Sequence, residues 1–155
     1  DSIRAQLPGI GASVFANGGL VMGAAGEVVW EASLPPEAVR RVCSFCCNGR
    51  AAGKGRIAVL ATTRCPMAGT EYGSLCYVEL APEGETFATA LIQSAQEPAC
   101  LLRDFRALEA EDQRVIKFVI FTDPNDRDWA PMPAVVQALQ AELQGTGATV
   151  LDCGA

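Results

Sequence analysis

The chain has 155 residues, a mass of 16.3 kDa and a formal net charge of −6, with a pI near 4.6. Half of its residues are hydrophobic and 19% are charged, at a mean hydropathy of +0.19, which excludes a wholly disordered chain. The acidic balance excludes a basic footprint for nucleic acid.

The length predicts one α+β domain over residues 1–155. The sequence contains no histidine. That removes Ser-His-Asp and Cys-His nucleophile pairs, mixed Cys/His zinc sites and His-ligated haem. Seven cysteines are an odd number, so they cannot all pair within one chain. Their first reading is as buried thiols in a reducing compartment. No run of 18 apolar residues predicts a membrane-spanning helix. The start, Asp1-Ser2-Ile3-Arg4, reads as a processed or trimmed N-terminus.

Ile10–Ala16 reads as a strand, and Asn17-Gly18 as a type I′ hairpin turn into a second strand at Leu20–Met22. Glu27–Ser33 reads as a third. Pro35-Pro36-Glu37 opens a helix with Val39, Val42, Cys43 and Cys46 on its apolar stripe, and Asn48-Gly49 stops it. Arg56–Thr63, Ser74–Ala81 and Thr86–Gln93 read as three strands of an antiparallel meander, with Pro82–Glu85 as a tight turn. Ser94 and Glu97 fit a capping box for a helix whose stripe is Leu101, Leu102, Phe105 and Leu108. Val115–Thr122 is an apolar run expected of a strand covered on both faces. A helix over Ala134–Gln144 and a strand over Ala148–Asp152 complete a strand–helix–strand unit.

The predicted fold class is thus α+β, a mainly antiparallel sheet with two or three packed helices. The order of hairpin, helix, three antiparallel strands and helix over residues 10–110 resembles the profilin, roadblock and longin architectures, in element order alone.

Four loci carry candidate chemistry. Cys43, Cys46 and Cys47, with Cys65, could hold a metal or a redox disulfide. The C-x-x-C pair falls near the C-terminal end of its helix, however, where the dipole raises rather than lowers a thiol pKa. Cys65-Pro66 resembles the short Cys-Pro haem-regulatory dipeptide. The glycine-rich loop with Arg50, Lys54 and Arg56 could meet an anion, yet its spacing is one residue short of a P-loop and it precedes a strand. Asp123, Asp126 and Asp128 follow a strand end, where ligands collect in α/β units, and miss the EF-hand spacing. Trp30, Trp129 and Met132 are interface candidates.

No catalytic constellation emerges, so the sequence leans away from an enzyme. The expectation is a protein-binding or assembly subunit, with another protein or a second copy as partner, acting through a sheet edge or an apolar patch. No cofactor is expected, a cysteine-bound metal being the alternative. The rival function is a ligand-binding or enzymatic domain built on loop 122–129, joined by Cys153 or by the Gly49–Arg56 loop.

Overall fold

The computed structural model describes residues 12–15, 19–25, 27–48, 55–63, 73–78, 82–94, 100–104, 107 and 114–151. The fold is α+β, with two sheets and three helices among these residues. Contacts divide the chain into two units, Asp1–Ser33 and Leu34–Ala155.

The first unit is an antiparallel sheet of β1 (Ala12–Phe15), β2 (Leu20–Gly23) and β3 (Val28–Glu31), in that spatial order. The predicted pairing of the first two strands forms, with Phe15 facing Leu20, and β3 pairs antiparallel with β2, with Val21 facing Trp30. A register shift at Val21/Met22 bends the second ladder. Asn17 and Gly18 lie outside the described residues.

The second unit begins with α1 (Pro36–Cys47), with Pro36 in the first turn and Asn48 as C-cap, as the sequence predicts. Strands β4 (Ile57–Thr63), β5 (Gly73–Val78), β6 (Leu101–Asp104) and β7 (Val115–Thr122) form one sheet in the order β6-β5-β4-β7. The β4–β5 and β4–β7 pairs are antiparallel, and β5–β6 is parallel.

The parallel pair corrects the predicted meander. Residues Pro82–Ser94 form helix α2, where a turn at Pro82–Glu85 and a strand at Thr86–Gln93 were expected. Pro82 opens the helix, and Glu83 and Glu85 lie at its positive end. Gly84 and Ala88 are buried one turn apart, with Phe87, Leu91 and Ile92 beside them. That spacing is an amphipathic helical stripe whose smallest members let the helix lie close to the sheet. Ser94 therefore ends a helix rather than capping the next one, and its hydroxyl donates to the Leu91 carbonyl at 2.8 Å. Leu101 and Leu102, expected on a helical stripe, belong to β6. A parallel neighbour needs a crossover, and α2 supplies it between β5 and β6. With a strand replaced by a helix, the element order behind the profilin-like resemblance is not the observed one.

Alternation along β4 and β5 builds a core on each sheet face. Ile57, Val59, Ala61, Leu75 and Tyr77 meet Ala38, Val42, Cys43, Phe45 and Cys46 of α1. Val135 and Leu139 of α3 (Met132–Glu142), with Leu143 just beyond it, join this cluster. On the other face, Ala58, Cys76 and Val78 meet Ala88, with Phe87, Leu91 and Ile92 around it. The Arg41 guanidinium ties α1 to α3: it donates to Glu37 at 2.9 Å and to the Glu142 carbonyl, also at 2.9 Å. A cation thus meets carbonyls at a helix C-terminus.

Two further expectations are corrected. Val115–Thr122 has the predicted bounds, yet among the described residues β7 lies at an edge of the sheet and its last six residues are only half-buried; β4 and β5 hold the interior positions. No strand forms over 148–151. Positive φ at Gly145 and Gly147 turns the chain after α3, Ala148 and Val150 pack on the core, and Leu151 faces out.

Candidate functional site

Three residues from two separate candidate loops meet at one place. The Asp123 N–H donates to the Arg56 carbonyl at 2.9 Å, extending the β4–β7 ladder by one step. The Arg56 guanidinium then donates to Asp123 Oδ2, and its second terminal nitrogen lies 3.6 Å from Asp126 Oδ2. All three side chains are nearly covered, at 11%, 5% and 5% exposure for Arg56, Asp123 and Asp126. The other carboxylate oxygens serve the loop itself. Asp123 Oδ1 accepts the Asn125 N–H and Asp126 Oδ1 accepts the Asp128 N–H, each at 3.0 Å. Two successive Asx turns result, reinforced by main-chain bonds from Asp126 to Asp123 and from Trp129 to Asp126.

This arrangement is a tied-down loop. A cation binding Asp123 and Asp126 would have to displace a guanidinium already seated between them. Asp128 stands apart, half exposed, 3.5 Å from the outward-pointing Arg127. Such a surface pair contributes little. Arg50 and Lys54, the remaining members of the basic loop, lie outside the described residues. Gly55 shows why the strap before β4 carries glycine. Its φ is +70°, and a Cβ there would stand 2.8 Å from the Asp128 carbonyl oxygen and 2.9 Å from Trp129 Cα.

The cysteines divide by burial. Cys43 and Cys46 sit in the α1 core, and Cys47 at the helix end is exposed. Cys76 is buried under α2, where burial, with the neighbouring Cys100 thiol, pushes its thiol up to about 12. Cys43, Cys46, Cys47, Cys76 and Cys100 are all thiols. Among the described residues, no group of three Cys, Asp or Glu side chains is placed to hold a metal ion. Cys65 and Cys153 lie outside them.

Of the interface candidates, Trp30 is 51% and Trp129 is 47% exposed, while Met132 packs against the core. The Trp129 indole N–H donates to Thr122 Oγ1 at 3.2 Å, fixing the ring at the end of β7.

The other prominent feature is the outer edge of β7. Among the described residues, β7 has a strand neighbour on one side only. Asp123 directs its N–H toward β4, so by antiparallel alternation Phe118, Ile120 and Thr122 direct their main-chain groups to the open side. At the start of the strand, Leu34 N–H donates to the Val115 carbonyl at 2.7 Å. The opposite edge differs: β6 has four residues, two of them Arg103 and Asp104. Short length and charge blunt that edge, whereas β7 has eight residues and one charge, Lys117.

Sequence reasoning grouped Arg56 with Asp123 and Asp126 as candidate ligand-binding residues, but not as a direct ion pair, because that contact depends on β4 and β7 being neighbours. It missed the Arg41 tie and the edge position of β7, neither of which has a local signal. Comparison with protein-family models, with curated proteins and with solved structures finds no match.

Proposed function

We propose that this chain is a protein-binding subunit that accepts a partner strand along the outer edge of β7. The observation that supports the reading is the contrast between the sheet's two edges. One is short and charged; the other is long, apolar and, among the described residues, without a strand neighbour on the side of Phe118, Ile120 and Thr122. Trp129, half exposed and held at the end of that strand, offers an aromatic anchor beside the added strand. The rival reading, a ligand site on loop 122–129, loses support because Arg56 and the Asx turns engage its two buried carboxylates.

The test compares Ile120→Pro with Ile120→Ala. Both remove the same side chain, but only proline removes the outward N–H, and it leaves the ladder to β4 intact. A stoichiometric partner isolated with the chain from its native source should remain with Ile120→Ala and be lost with Ile120→Pro. Its binding should also slow amide exchange at Phe118, Ile120 and Thr122. Equal retention by both variants, with no change in exchange, would remove the reading.

A further inference from the structure

We infer that Cys76 and Cys100 form a redox disulfide that staples β5 to the start of β6 beneath helix α2. The inference is independent of the β7 edge.

The two thiols come from separate elements and meet through the β5–β6 register. Leu75 pairs with Leu101 and Cys76 with Leu102, so Cys100 stands diagonally across from Cys76, two positions before Leu102. Cys100 and Leu102 both pack against the cluster that holds Cys76 and Ala88. Diagonal neighbours in a ladder lie about 7–8 Å apart, just beyond the usual reach of a disulfide. Cys100 precedes β6, so the ladder does not fix it, and a small shift of that one residue closes the gap.

The surroundings favour a neutral product. Ala58, Val78 and Ala88 are fully buried around Cys76. Burial first, and then the Cys100 thiol, push the Cys76 thiol up to about 12, so a thiolate is penalised there. A disulfide replaces two neutral thiols by another neutral group and brings no charge into the apolar site. A zinc ion would need four ligands, and among the described residues no third Cys, Asp or Glu side chain completes a metal site.

Access sets the order of events. Cys100 is half-buried, whereas Cys76 is fully buried. The Cys100 thiolate attacks one sulfur of a small disulfide, expels a small thiolate and leaves a mixed disulfide. The Cys76 sulfur then attacks the Cys100 sulfur and expels the second small thiolate. The two small thiolates take up the two protons that the protein thiols give up. Two protein thiols are oxidised to one disulfide, and one small disulfide is reduced to two thiols. Reversal is slow from either side. Attack at the Cys100 sulfur must expel Cys76, a poor leaving group, and the Cys76 sulfur lies under α2. The staple therefore forms slowly and persists. It closes the whole α2 crossover into a covalent loop and stiffens the β5–α2–β6 unit.

The test equilibrates the full chain with oxidised glutathione and maps its peptides by mass, without reductant. The expected product is a pair of peptides joined through Cys76 and Cys100, formed more slowly than the mixed disulfide at exposed Cys47. Amide exchange over 82–94 should slow as it forms, and the folded-to-unfolded ratio should rise roughly a hundredfold. Cys76→Ser and Cys100→Ser should each abolish the joined pair while leaving Cys47 reactive. Because the wild-type map is read by itself, a variant that fails to fold does not blunt the test. If Cys76 and Cys100 remain separate thiols once Cys47 is fully modified and equilibrium is reached, the inference is overturned. A bond from Cys100 to any other cysteine overturns it as well, as does a Cys76–Cys100 bond that appears only in urea. A joined pair with unchanged exchange over 82–94 overturns the staple.

Discussion

Arg56 and Asp123 lie 67 residues apart in sequence, yet they face each other twice, once through main-chain atoms and once through a buried ion pair. The same two residues thus close the last step of the β4–β7 ladder and anchor the loop that follows it. Both partners are covered, so the pair stands where solvent screening is weak.

Breaking this pair from one side should be costly. Arg56→Ala would leave Asp123 and Asp126 buried without their guanidinium, and the expected loss is about 3–5 kcal/mol. Asp123→Ala should cost less, because Arg56 keeps Asp126 nearby. The double variant should lose clearly less than the sum of the two. Urea unfolding measures all three, and strictly additive losses would show that the residues do not act as a pair.

Gly55 tests the strap before β4 independently of charge. Ala at this position would take a strained positive φ and push its Cβ into the backbone of Asp128 and Trp129. The expected cost is roughly 1–3 kcal/mol. Trp129 fluorescence should report the displaced loop. An unchanged midpoint and spectrum would mean the strap does not press on the loop.

Thiol chemistry should separate the cysteines. Cys47 is exposed and should react with an alkylating reagent in the native state. Cys43 and Cys76 are fully buried, and the Cys76 thiol is pushed up to about 12, so both should react only after unfolding. Mass mapping of modified peptides over time gives the order. Early modification of Cys76 would contradict the packing of α2 on β5.

Helix α1 should weaken slightly in acid. The Glu37 carboxyl is held below its ordinary 4.5, first by the hydrogen bond from Arg40 and then by that from Arg41. A depressed folded-state pKa stabilises the fold above the unfolded value, and that contribution fades as pH falls through the folded one. The group is exposed, so the effect on global stability is small. Carboxyl chemical shifts across this range should show Glu37 titrating below an ordinary glutamate, and Arg40→Ala should move it back up.

Elements whose residues contain their own instructions were legible in the sequence. The β1–β2 and β2–β3 hairpins, α1 with its proline start and Asn48 stop, and the bounds of β7 all follow from local signals. Thr86–Gln93 was misread because its apolar residues satisfy a period of two and of 3.6 at once. The choice fell to Gly84 and Ala88, whose small size matters only when a sheet lies beneath them. Leu101 and Leu102 then followed the error, since a strand there makes sense only beside β5. The candidate site was legible as a group of residues from two loops, but not as an ion pair: that Arg56 seats directly on Asp123 follows only from β4 and β7 being neighbours.

The sheet order also implies a sequence of events in time. β4 and β5 are joined by a short stretch of chain, whereas β7 reaches β4 only after α2 and β6 have been accommodated. Closing the shorter loop costs less entropy, so the β4–β5 hairpin is the natural early structure and the β4–β7 ladder a late one. The Arg56–Asp123 bond then acts as a latch on the slowest contact of the sheet. Weakening it should speed unfolding more than it slows folding.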